Sequence, residues 1–133
     1  MKSLPRTEAT PLVRTDFSDQ AAWQALRTAV TTPDDDDCLA DVHIVDDRAY
    51  SELTTEQVIS LAPAKSLLIV ADKAALSTPE MPLLVVLVTK KGHSELRVIA
   101  AELASIENNI SIANMDWEEF TEAADDDGVF RGF

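Results

Sequence analysis

Apolar and polar positions alternate in short blocks along this chain, and each block predicts one element. Leu12 and Val13, followed by Arg14 and Thr15, read as a first strand that ends at Asp16 and Phe17. Ser18 then stands where a helix cap is needed. Trp23, Leu26 and Val30 recur at helical spacing, so a helix with one apolar face is expected to about Val30, packed closely through Ala21, Ala22, Ala25 and Ala29. Pro33 and the consecutive acids Asp34 to Asp37 make a loop, because like charges in a row repel in any packed element. Val42, Ile44 and Val45 form a second strand closing at Asp46 and Asp47. Thr54 with Gln57 writes a capping box, and Leu53 with Val58 supplies its hydrophobic staple, which places a helix after that strand.

Leu67 to Val70 is continuously apolar, the habit of a strand covered on both faces in a parallel sheet. Leu83 to Val88 repeats that pattern as a fourth strand. Glu95 to Ile99 is a fifth, and the connection from Thr89 to Ser94 has hairpin length, so this pair is antiparallel. Ala100 to Glu107 has helical composition, and the pair Asn108 and Asn109 argues for a stop. Ile110 and Ile112 alternate with Ser111 and Ala113 as a short sixth strand. Asp116 with Glu119 forms a second capping box, Met115 with Phe120 a second staple, and Trp117, Phe120 and Ala124 the buried stripe of a last helix. These elements predict a single α/β domain over residues 11–133. Its mostly parallel sheet has about five or six strands, helices on both faces and one antiparallel edge hairpin. Residues 1–10 lack apolar periodicity and read as a flexible arm.

At 133 residues the chain suits one core. Its net charge of −13 changes the picture more, because it opposes attraction to nucleic acid phosphates or anionic lipid and favours a basic protein partner. The apolar runs fall far short of the ~20 residues of a membrane-spanning helix, and the opening MKSLPRTEATP lacks the apolar run of a signal peptide. A lone Cys38 forms no internal disulfide, so a reducing, cytoplasmic setting is expected.

Candidate chemistry is sparse. Three glycines, Gly92, Gly128 and Gly132, write neither a P-loop nor a dinucleotide fingerprint, and His43 and His93 lack metal-ligand spacing. Asp16, Asp46, Asp47 and Asp72 sit at predicted strand carboxyl ends, where open α/β sheets bind ligands. Two readings stay open for them: helix and turn capping, or a Mg²⁺ site for phosphoryl transfer or hydrolysis with Lys73 or Arg48 as anion contact. No other cofactor is expected. Asn108 and Asn109 either present amides to a ligand or bond to local backbone. Phe130, Arg131 and Phe133 either pack back on the domain or anchor a partner or a second copy, with Arg131 paired to Glu118, Glu122 or Asp125.

The runs NNISIANMDWEEF and DDDGVFRGF, with PLVRTDFSDQAAW and PLLVVLV upstream, resemble the domain-of-unknown-function family 6924 from about Pro11 onward. The resemblance implies a small single-domain protein whose tail is a regular part of the fold, and it brings no activity. From the residues themselves, a small acidic binding or regulatory module is expected, with a metal-dependent enzyme, a homo-oligomer or a nucleic-acid mimic as alternatives.

Overall fold

A computed structural model describes residues 4, 8–62, 66–112 and 114–133. The expected arm therefore lies outside the described residues except for Leu4 and its last positions, and Leu4 packs against the core. Six strands form one sheet: β1 (Thr10–Arg14), β2 (Val42–Val45), β3 (Ser66–Ala71), β4 (Pro82–Thr89), β5 (Gly92–Ile99) and β6 (Val129–Phe130), in the order β2-β1-β3-β4-β5-β6. The helices are α1 (Gln20–Val30), α2 (Thr55–Ile59), α3 (Leu103–Ser111) and α4 (Trp117–Ala123).

Side chains along each central strand alternate between two cores, as the pleat dictates. Leu12, Ile69, Leu83 and Val85 face α1, α3 and α4, where Trp23, Leu26, Ile106 and Phe120 are buried. Val13, Leu68, Val70, Leu84 and Val86 face the other way, onto Tyr50 and Val58 of the segment carrying α2. The continuous apolarity of β3 and β4 thus reflects cover on both faces.

The sheet is mixed, not mostly parallel. β1 runs parallel to β2 and β3, and β6 parallel to β5, but β3 pairs antiparallel with β4 and β4 with β5. The reason lies in the connection Asp72–Met81, which is shorter than the dozen or more residues a parallel crossover needs. Chain reversal there is completed by Met81 at φ 52°.

Two further expectations are corrected near the C-terminus. Ile110 lies inside α3 and Ile112 caps it, so neither is in the expected strand, whose last residue Ala113 lies outside the described residues, and Asn108 and Asn109 do not stop the helix. Their amides find local acceptors: Asn108 Nδ2 donates to Leu39 O at 3.1 Å and Asn109 Nδ2 to Ser105 O at 2.7 Å. Those bonds offset the weak helix propensity of asparagine. The sixth strand is instead Val129–Phe130, which pairs with Arg97 and Val98 and, among the described residues, leaves the outer edge of β5 open from Gly92 to Leu96. At the first helix the cap is Asp19, whose Oδ1 accepts from Ala22 N at 3.0 Å, while Ser18 is held by the Asp16 carboxylate.

Candidate functional site

The strand order gathers the candidate aspartates at one edge and then occupies each of them. Registers Val13 with Val45 and Arg14 with Ala71 bring the carboxyl ends of β2, β1 and β3 side by side. Asp46, past β2, accepts from Arg14 Nη1 at 3.2 Å and from Trp23 Nε1 at 3.2 Å, with Arg27 Nη1 3.8 Å away. Arg14 is 2 % exposed, its guanidinium lies 4.2 Å from the Phe17 ring centroid and 4.9 Å from that of Trp23, and its Nε donates to Asp16 O. Its Nη2 has no hydrogen-bond partner among the described residues. Asp46 is therefore the counter-ion of a buried arginine. Asp47 accepts from Ala49 N at 2.9 Å and Asp16 from Ser18 N at 3.1 Å, so both close local turns.

Asp72 past β3 holds Arg97 of β5 through a two-pronged pair at 2.8 and 2.7 Å and caps Ala75 N at 3.1 Å. Burial pushes the Asp72 carboxyl up, but the Arg97 and Ala75 hydrogen bonds and the guanidinium charge together hold it below its ordinary 3.8. A depressed folded value means this stabilisation is fully present above pH 3.8 and is lost as pH falls through the lower folded value. Asp72→Asn is therefore expected to unfold with a flatter acid limb than the wild type, read from denaturant midpoints below pH 4, and an unchanged limb would refute the pairing.

The C-terminal segment is built into the fold. Phe130 is 0 % exposed, edge-on to Phe120 at 5.3 Å and to Phe133 at 5.1 Å, so its side chain is inside the domain. Arg131 forks to Asp127 at 2.7 Å, Asp125 at 2.8 Å and Glu80 at 2.7 Å. Of its expected partners only Asp125 is used. Those carboxylates raise the Arg131 pKa further, and the Arg131 hydrogen bond holds Asp127 below its ordinary value. Asn108 and Asn109 are engaged by the domain itself, the latter also accepting from Asn114 Nδ2 at 2.9 Å. Of the tail and Asn candidates, Phe133 presents most surface, at 75 % exposed.

One feature of the surface combines volume, uncompensated charge and apolar area. A cleft of about 740 Å³ opens between the C-terminal half of α1 with its following loop and the start of α3. Asp34, Asp35, Asp36, Glu80 and Glu102 stand around it, Val30, Met81 and Leu103 give it apolar walls, and Phe133 lines it as well. Asp34 is fixed by its own loop, since its Oδ1 accepts from Asp36 N at 3.0 Å and Cys38 N at 2.9 Å. Glu80 is taken by Arg131; among the described residues Asp34, Asp35, Asp36 and Glu102 have no ion pair. Sequence reasoning found the Asp34–Asp37 loop but missed its neighbour Glu102, which lies far along the chain.

A family model described as "Domain of unknown function (DUF6924)" matches residues 9–133, nearly the whole chain and both walls of the cleft. The chain belongs to this family. Its description assigns the DUF6924 domain no activity, and a search of the curated proteins finds no match. The match starts one residue before β1 and runs to Phe133, so the aromatic tail belongs to the family domain.

Electrostatics inside the cleft carry a cost. Burial first, and then the charges of Asp34 and Asp36, push the Glu102 carboxyl above its ordinary 4.5. With a raised folded value the native state holds the extra proton, so stability falls as pH rises from 4.5 through the folded value and stays reduced above it. Glu102→Gln is expected to melt at a higher temperature than the wild type at neutral pH, with the difference vanishing in acid. A lower neutral melting temperature would contradict the strain assigned to this charge. Among the described residues, no group of three or more His, Cys, Asp or Glu is placed to hold a metal ion, and no helix is long and apolar enough to cross a membrane.

Proposed function

We infer that this protein is a small acidic binding module that engages a basic protein partner, in a cytoplasmic setting. The observation that carries the reading is the cleft, where four carboxylates without counter-ions among the described residues surround apolar walls. Charges held together in this way are relieved by an incoming cation, and apolar walls add area that excludes water. The net charge of −13 steers such a partner from a distance. Titration of the protein with a lysine- and arginine-rich peptide tests this. Binding is expected to weaken as salt rises and to fall about ten-fold in the Asp34→Asn, Asp36→Asn double variant. No binding at low salt would count against the module.

The metal-dependent phosphoryl-transfer or hydrolytic reading has less support, because Asp46 and Asp72 neutralise arginines and Asp16 and Asp47 hold turns. Nucleic-acid mimicry likewise has less support, because acids stand on both faces of the sheet, with Glu56 on α2 and Glu102 beside α3. A homo-oligomer has one observation in its favour. Leu39 and Ile112 are exposed at 47 % and 73 % and both meet Asn108, one through its side chain and one through its backbone.

A further inference from the structure

We propose that the cleft takes a guanidinium-bearing side chain, an arginine of the basic partner, with Glu102 as its ion-pair partner and the open face of Phe133 as its stacking surface. The proposal rests on the partner-binding reading above and specifies its chemistry. A guanidinium is planar, weakly hydrated and able to fork onto a carboxylate while stacking on an aromatic ring, whereas a lysine ammonium is a strongly hydrated point charge. The cleft offers both halves of that match, since Glu102 and Phe133 both line it.

Phe133 is tilted against Phe120 at 5.3 Å and edge-on to Phe130 at 5.1 Å, so its ring is braced by two buried aromatics while the residue stays 75 % exposed. Gly132 holds the tail against Glu102, and Phe133 lines the same cleft as that carboxylate. Its φ of 111° suits glycine, and a Cβ there would lie only 3.2 Å from Glu102 Oε1, so the tail passes directly over the carboxylate. Met81, Val30 and Leu103 supply walls for the methylene stem of a long cationic side chain. At the rim, the chain's own Arg131 already forks onto Glu80, Asp125 and Asp127, which leaves Glu102 with Asp34, Asp35 and Asp36 as the carboxylates for a visitor.

The experiment is a fluorescence-anisotropy titration with two labelled peptides of equal length and charge, one built on arginine and one on lysine. Both are run at low salt against the wild type, Phe133→Leu, Glu102→Gln and the control Glu56→Gln, whose exposed carboxylate lies on α2 across the sheet. The arginine peptide is expected to bind about five-fold more tightly than the lysine peptide. Phe133→Leu should erase most of that preference, and Glu102→Gln should weaken arginine-peptide binding well beyond Glu56→Gln. Equal binding of the two peptides, unaffected by Phe133→Leu, would overturn the guanidinium assignment and leave the basic-partner reading standing. An arginine preference that survives both cleft substitutions places the site elsewhere and also overturns it. Failure of both peptides to bind removes the two readings together.

Discussion

Phe130→Ala should lower the unfolding free energy by about 3–5 kcal/mol, the range for emptying a buried aromatic site. The residue is 0 % exposed although it is only three positions before Phe133. Its ring is one corner of a mutually touching trio, meeting Phe120 at 5.3 Å and Phe133 at 5.1 Å, and its backbone pairs with Val98 in the sheet. Alanine would remove the ring contacts and leave a hole that two-residue β6 is too short to close. Such a loss is a large fraction of the roughly 5–15 kcal/mol that holds an ordinary domain together. Urea unfolding measures it through the midpoint at constant slope. Phe133→Leu, by contrast, should cost less than about 1 kcal/mol because that ring is mostly in water. Similar effects of the two substitutions would mean that the tail does not pack as described.

Glu107→Ala is expected to cost about 3 kcal/mol or more, an effect unusual for an acidic residue in so acidic a chain. Glu107 is 3 % exposed, and its two oxygens accept from Thr10 Oγ1 at 3.1 Å, Asp41 N at 2.7 Å, Asn108 Nδ2 at 3.2 Å and the Ser111 hydroxyl. The carboxylate thereby ties α3 to the start of β1 and to the approach to β2. Truncation would strand the buried Thr10 hydroxyl, at about 1–3 kcal/mol, and would also take the acceptor from the Asp41 N–H and the Ser111 hydroxyl. Glu107→Gln keeps one acceptor and the volume, so it should cost about 1 kcal/mol. Denaturant unfolding of both variants separates the hydrogen-bond network from simple packing. Equal, small losses would show that the network contributes little.

Much of the fold was legible because its signals are local. Thr54 with Gln57 closes its box as read, with Thr54 N donating to Gln57 Oε1 at 2.9 Å, and Glu119 accepts from Asp116 N at 2.8 Å. Five strands and their hairpin follow from runs of apolar residues and one turn-length connection. What failed was decided at long range. β6 has two residues, and its partner strand lies about thirty positions upstream, so no pattern within Val129 and Phe130 marks it. The Asn pair looked like a stop because propensity favours one, yet acceptors at Leu39 and Ser105 override it. Glu107 did leave a signal, since it lies four residues after Leu103 on an otherwise apolar face. A charge in that position must either be satisfied internally or break the packing.

The candidate site shows the same division. Capping explains Asp16 and Asp47, as turn chemistry suggested, whereas the arginines that claim Asp46 and Asp72 come from other strands. The acidic loop at Asp34 was visible as a loop, but its proximity to Glu102 and Phe133 depends on how α1 lies against the start of α3. Strand order and helix packing, which no local pattern encodes, therefore turned a charge run into one wall of a cleft.

Amide NMR of nitrogen-labelled protein, titrated with an arginine-rich peptide, tests the central claim most directly. Binding in the cleft predicts shifts concentrated at Asp34 to Asp36, Glu80 and Met81, Ala100 to Ser105 and Phe133, fading with added salt. Shifts centred on α2 and the opposite face of the sheet, or scattered evenly over the surface, would contradict it.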